Sequence, residues 1–179
     1  MEHAKFLETD DQLHFDPSIA EMMEESGIWI SPTLQSWTHY PRIVELKAKL
    51  KDENISISEE AELQDLERRA ENRLDVMRCM LDHDLRDRIV PGTDSGVNNL
   101  AFGHLDYDLQ LLAQVGFTPA ETLIAATRIS AEAIGLNNEI GTIQPGKVAD
   151  LVAFDGDPTV DVDAFSCVVA VFQAGCQIK

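Results

Sequence analysis

Two short strand-like segments separated by a long helical stretch constrain the fold of this chain more than any other feature. Residues 28–31 are Ile-Trp-Ile-Ser between Gly27 and Pro32, and residues 89–90 are Ile-Val before a Pro-Gly turn. β-Branched and aromatic residues bounded by turn residues predict strands, whereas residues 42–84 between them are charged and helical in character. Strands joined through helices rather than hairpins form parallel βα units, so the sequence predicts the α/β class.

Helix-start signals support this alternation. Each signal has a side chain that can accept a hydrogen bond from the first turn of the helix. It also has a proline at the first helical position or an acid at the third. After the second signal, apolar residues recur every three or four positions, which predicts one buried face on a charged helix. The signals are Asp16-Pro17, Ser56 with Glu59, and Thr118-Pro119 with Glu121, and the apolar positions are Leu63, Leu66, Ala70, Leu74, Met77 and Leu81.

The last forty residues have a different pattern. A turn-rich link begins at Gly141, and residues 148–154 and 168–172 are rich in β-branched and aromatic residues. Ala174-Gly175 predicts a hairpin turn into residues 177–178. We therefore divide the chain into an α/β body, residues 1–138, and a small β subdomain, residues 139–179.

The charge balance narrows the class of partner. The chain has 14 basic and 32 acidic residues and a formal net charge of -18. Such a surface repels phosphate backbones and anionic lipids, so we expect neither nucleic acid nor a membrane surface as partner. With no apolar run near the roughly 20 residues of a membrane helix, the expected location is the cytoplasm.

Asp94 is the main candidate for chemistry. It follows the predicted strand at residues 89–90 and lies among small residues, Thr93, Ser95 and Gly96. Catalytic groups of parallel α/β proteins lie at the carboxyl ends of strands, where a carboxylate can bind a metal or act as a general base. A turn aspartate that caps the following segment explains the position equally well.

The histidines give weaker signals. His3 follows Glu2, and either metal ligation or an ordinary surface position fits it. His104 follows Gly103, ten residues after Asp94, and either faces a site above the strand ends or starts a helix. HxH, HExxH, EF-hand and GxSxG patterns are absent from the sequence.

Taken together, the motifs resemble the amidohydrolase superfamily, in the branch of the imidazolonepropionases and prolidases. Residues 92–96, Gly-Thr-Asp-Ser-Gly, resemble the motif at the end of barrel strand 8, and residues 118–127 resemble the helix that follows it. Residues 134–152 resemble the return of the chain to a β-sandwich. Glu2-His3 and Pro32-Thr33 are similar to the ends of strands 6 and 7.

The resemblance implies strands 6 to 8 of a (β/α)8 barrel followed by a small β-sandwich segment. It implies a divalent metal site, typically zinc, with His3 and Asp94 as ligands and Asp94 as the catalytic proton acceptor. Ser95 and His104 are the candidates for contact with substrate. The implied reaction is metal-dependent hydrolysis of C–N bonds in small cyclic amides or dipeptide-like substrates.

Several parts of the family pattern have no counterpart here. These are the HxH of strand 1, the carboxylate of strand 4 and the histidine of strand 5. Two ligands fall short of the three that a catalytic zinc usually needs, and a full barrel takes about 250 residues. We therefore expect an incomplete chain that does not necessarily bind the metal by itself. A complementary chain or a homo-oligomer is expected to supply the missing elements.

Two further functions remain open at this point. In the first, the chain is a non-catalytic module that pairs with a complementary chain or self-associates through its uncovered faces. In the second, it is a mononuclear hydrolase built from His3, Asp94 and His104.

Overall fold

A computed structural model describes residues 1, 13–97 and 100–179. The elements of the α/β body and of the β subdomain follow in chain order. The α-helices are α1 (Pro17–Ser26), α2 (Leu34–Thr38), α3 (Tyr40–Lys51), α4 (Ile57–Leu81), α5 (Leu105–Gln114), α6 (Pro119–Ile124) and α7 (Ser130–Ala133), and a π-helical turn, Ala125–Ile129, joins the last two. The strands are β1 (Leu151–Phe154), β2 (Val168–Gln173) and β3 (Cys176–Gln177), and 3-10 turns span Arg86–Arg88 and Val162–Ser166.

The helix starts lie where their local signals predict them. The Asp16 side chain accepts a hydrogen bond from the Ser18 N–H at the start of α1. Ser56 and Glu59 form a capping box at the start of α4. Thr118 forms the equivalent box with the third residue of α6. These predictions are confirmed because each cap is made by residues within one turn of one another.

The predicted strands of the body are confirmed as parallel neighbours, although each is very short. Ile30 forms a parallel bridge with Ile89. The Ile30 N–H donates to Arg88 O, and the Val90 N–H donates to Ile30 O, both at 2.9 Å. On the other side, Met1 donates its terminal N–H to Trp29 O and accepts from the Ser31 N–H, which is again the pattern of parallel neighbours. Within the described residues, Ile30 therefore lies between Met1 and Ile89.

Helices cover this small sheet and form the main core. Ile30 and Ile89 are fully buried, and the side chains that cover them come from α1, α2, α4 and α5. The predicted apolar face of α4 is confirmed, and its residues belong to two separate hydrophobic clusters. Leu74 and Met77 belong to the main core, whereas Leu63, Leu66 and Ala70 pack with Ile43 and Leu46 of α3.

The β subdomain is a three-stranded antiparallel sheet in the order β1-β2-β3. Val152 pairs with Val171, and the predicted hairpin turn lies between β2 and β3. The 3-10 turn Val162–Ser166 packs on α5, where the Ser166 hydroxyl donates to Asp106 Oδ2 at 3.1 Å. The sheet is thereby attached to the helix that follows Asp94. Within the described parts of the chain, no helix combines the length and the apolar character required to cross a bilayer.

Candidate active site at the strand ends

The segments that follow the two bridged strands lie against each other. A side chain on Gly92 would collide with the Ser31 hydroxyl and would lie 3.7 Å from Cγ2 of Thr33. Ser31 and Thr33 are buried at this contact. Glycine at position 92 therefore allows the two strand ends to approach closely, which brings α2 and Asp94 together.

Asp94 is held in an unusual backbone conformation. Its φ of 53° lies in the left-handed region, which aspartate tolerates better than most residues. Its Oδ2 accepts a hydrogen bond of 3.2 Å from the hydroxyl of Ser36, a residue of α2. The carboxylate after one parallel strand is thus oriented by the helix after the neighbouring strand.

A second carboxyl group lies beneath this contact and was missed by sequence reasoning. Asp108 of α5 is 1% exposed, and its Oδ1 accepts from the Gln35 N–H at 3.3 Å. Its Oδ2 is buried without a hydrogen-bond partner. Burial raises the pKa of Asp108 to about 7, and the nearby negative charge of Asp94 acts in the same direction. An aspartate inside an amphipathic helix pattern gives no sign of this burial, so only the tertiary structure reveals it.

Ser95, a candidate for substrate contact, is engaged within its own loop. Its N–H donates to Thr93 Oγ1 at 3.3 Å. Its hydroxyl lies 2.8 Å from the same oxygen and 3.1 Å from the carbonyl of Ala101. These bonds shape the loop that carries Asp94.

His104, the other such candidate, lies at the start of α5 with an exposed side chain. Its ring stacks on Tyr107 with centroids 4.9 Å apart, and its Nδ1 lies 3.6 Å from Asp106 Oδ1. Its backbone carbonyl accepts from Gln35 Nε2 at 3.2 Å. The contact of His104 with α2 is therefore made by its backbone.

The metal ligands expected from the sequence are only partly within the described structure. His3 lies outside the described residues, so its role as a metal ligand stays a prediction. Within residues 1, 13–97 and 100–179, no three His, Cys, Asp or Glu side chains are grouped so that they could hold a metal ion. Asp94 alone would supply one oxygen ligand where about three protein ligands are the rule, so the described residues do not make a complete metal site.

The family model described as the amidohydrolase family matches residues 1–177. The chain belongs to the amidohydrolase family. By family it is an enzyme, and the family is generally metal-dependent, with a TIM-barrel-type fold of the α/β class. The resemblance identified from the sequence motifs is thus confirmed.

Among curated relatives, an imidazolonepropionase of Geobacillus sp. (strain WCH70) is 57% identical over 42 residues, which are 24% of this chain and 10% of the relative. An imidazolonepropionase of Pyrobaculum arsenaticum is 42% identical over 72 residues, 40% of this chain and 18% of the relative. Both matches are local, and they cover a minor part of each relative.

Solved structures match the whole chain at lower identity. A Xaa-Pro dipeptidase with bound methionine in the active site has a TM-score of 0.69 at 22% identity, over 99% of this chain and 39% of that chain. A putative prolidase from Bifidobacterium longum has a TM-score of 0.69 at 24% identity, over 99% of this chain and 41% of that one. These likenesses show the fold, and this chain spans about two fifths of the length of these structures.

Proposed function

We propose that this chain contributes part of the active site of a metal-dependent hydrolase that cleaves C–N bonds in cyclic amides or dipeptide-like substrates. The observation that supports this most is the position of Asp94, directly after a strand in parallel pairing and hydrogen-bonded by Ser36 from beside the neighbouring strand. In barrel enzymes, the functional side chains lie at this end of the strands. The names of the imidazolonepropionase and prolidase relatives suggest the substrate class.

We assign the chain at Met1, Ile30 and Ile89 to barrel strands 6, 7 and 8. Residues 1–138 then belong to the barrel and residues 139–179 to the β-sandwich. The order of the segments supports this assignment, since Met1 pairs beside Ile30 and Ile30 beside Ile89, with helices between. The family resemblance of Glu2-His3 to the end of strand 6 is the reason to propose His3 as a ligand beside Asp94.

Asp94 has the chemistry for two roles. Its carboxylate is a hard oxygen ligand for a divalent cation such as zinc, and His3 would supply a nitrogen ligand. A divalent metal held here would activate water for attack on the amide carbon. Asp94 would accept the proton of that water and pass it to the leaving nitrogen, while the Ser36 hydroxyl keeps the carboxylate in one orientation. Asp94 and His3 would need at least one further protein ligand to hold a catalytic zinc.

The decisive test is the Asp94→Asn substitution in a hydrolysis assay with added zinc, with Xaa-Pro dipeptides and cyclic amides as substrates. The substitution retains size and tolerance of the left-handed backbone but removes the basic carboxylate. We expect kcat to fall by about 100-fold or more, as general-base removal does.

Asp84→Asn is the matched control, because Asp84 is an exposed turn residue beyond α4. It should leave the rate unchanged. If Asp94→Asn and Asp84→Asn hydrolyse the substrates as fast as the unaltered chain, the proposed role of Asp94 is wrong.

Self-association or pairing with a complementary chain is the second candidate function. Large apolar side chains of the β subdomain are exposed, with relative exposures of 89% for Ile143, 74% for Val160 and 64% for Ile178. Apolar surface of this kind favours contact with another chain. Light scattering across a concentration series tests this association. The molar mass should rise with concentration, and a constant monomer mass would contradict association.

A further inference from the structure

Helix α2 depends on another element for its cap. It spans five residues, and Thr33 before it has a φ of 49° and makes no side-chain cap bond. The first N–H groups of a helix lack partners within the helix, and a single short turn is not stable by itself. The orientation of α2 must therefore be fixed from outside.

Asp108 supplies that cap from α5. Its Oδ1 accepts from the Gln35 N–H at 3.3 Å. The Gln35 side chain donates to the carbonyl of His104 at 3.2 Å, which ties α2 to the start of α5 a second time. The first turn of α2 is thus attached to α5 by both its backbone and a side chain.

The same turn of α2 carries the group that orients Asp94. Ser36 directly follows Gln35, and its hydroxyl donates to Asp94 Oδ2 at 3.2 Å. Because the two residues are adjacent, a rotation of the first turn that breaks the Asp108 cap also moves the Ser36 hydroxyl. The contacts form a path from Asp108 through Gln35 and Ser36 to Asp94.

A buried carboxylate is an energetically unfavourable cap, because the charged form loses its hydration. A capping residue typically has an extended backbone, whereas Thr33 has a φ of 49° and leaves the cap to another residue. Asp108 instead is 1% exposed, and one of its oxygens is buried without a partner. Burial shifts its pKa to about 7. Perturbed carboxyl groups of this kind cluster at functional sites.

We propose that Asp108 is a positioning residue for Asp94, holding α2 so that the Ser36 hydroxyl fixes the orientation of the Asp94 carboxylate. The inference rests on the proposed role of Asp94 as a functional carboxylate. Asp108 touches neither substrate nor metal, and it acts through Ser36.

The test is an NMR comparison of the full chain and its Asp108→Ala variant, with neither metal nor substrate. Loss of the Asp108 cap should speed amide hydrogen exchange at Gln35 by roughly tenfold. The χ1 rotamer of Ser36, measured by three-bond couplings, should change from one dominant state to an average. Asp94→Gly gives the reference for a released Ser36, since glycine tolerates the positive φ at that position.

Two further variants serve as controls. Asp106→Asn removes a charge from the same helix without touching α2, and it should change neither measurement. Asp108→Asn keeps an acceptor oxygen and should restore most of both. If Asp108→Ala does not fold, Asp108→Ser replaces it with the same expectations, because serine is too short to reach Gln35.

The proposal is overturned if exchange at Gln35 speeds up while Ser36 keeps its original rotamer, since Asp108 would then only cap a helix. It is also overturned if neither measurement changes. Both measurements are independent of catalysis. A failure of the hydrolysis test with Asp94→Asn would therefore refute the proposed function and leave the path from Asp108 to Asp94 standing.

Discussion

Asp108 places a carboxyl group in the interior between α2 and α5, and this position makes stability depend on pH. Its pKa is raised from 3.8 to about 7, first by burial and also by the charge of Asp94. Between these values the folded protein binds the proton more tightly than the unfolded chain. The favourable contribution is therefore complete below about pH 4 and is lost as pH rises through 7.

We expect the Asp108→Asn variant to lack this dependence. From pH 4 to pH 8, the free energy of unfolding of the variant should therefore increase relative to that of the unaltered chain. The increase should reach about 4 kcal/mol, which corresponds to a pKa shift of about three units. Urea denaturation of both proteins at the two pH values measures the difference. Because the substitution also changes packing, the informative quantity is the change with pH; a constant difference would show that Asp108 titrates normally.

At the level of the elements, the close approach of the two strand ends makes a specific packing prediction. A methyl group on Gly92 would collide with the Ser31 hydroxyl. Gly92→Ala should lower the free energy of unfolding by about 1–3 kcal/mol, the usual effect of overpacking. The double variant Gly92→Ala, Ser31→Ala removes the colliding oxygen and should regain most of that loss in the same denaturation assay.

The single Ser31→Ala variant is the control for this pair. If the two substitutions simply add, the strand ends do not meet as described, since residues in contact should couple.

The elements that the sequence predicts well are those whose stabilising groups are close together in the chain. The capping boxes at Ser56 and Thr118, and the hairpin after β2, depend on residues within one turn. Helix α2 and the burial of Asp108 were not predicted. The residue that caps α2 lies 73 positions away in the chain. The spacing of polar residues in α5 does not distinguish Asp108 from an acid on the exposed face of the helix.

The same reasoning explains the partial prediction of the site. Asp94 was identified because it follows a strand within a small-residue turn, which is a local signal. Its hydrogen bond with Ser36 joins residues 58 positions apart, and no pattern in the sequence indicates that pair. The roles proposed for His3, Ser95 and His104 stay predictions.

At the scale of the whole molecule, this chain is shorter than the structures whose fold it shares, and it belongs to a family that is generally metal-dependent. The family model covers residues 1–177, yet the chain spans 39% of the Xaa-Pro dipeptidase whose fold it shares. The described residues contain no complete set of metal ligands. We therefore expect a metal site that Asp94 joins but does not complete, with further ligands from another chain or another part of the protein.

Native mass spectrometry with added zinc, comparing the unaltered chain with Asp94→Asn, tests whether Asp94 is a metal ligand. We expect an assembled form of the unaltered chain to retain zinc, and the Asp94→Asn variant to retain clearly less in the same assembled form. Equal zinc content in the two proteins, whether high or absent, would contradict the assignment of Asp94 as a metal ligand.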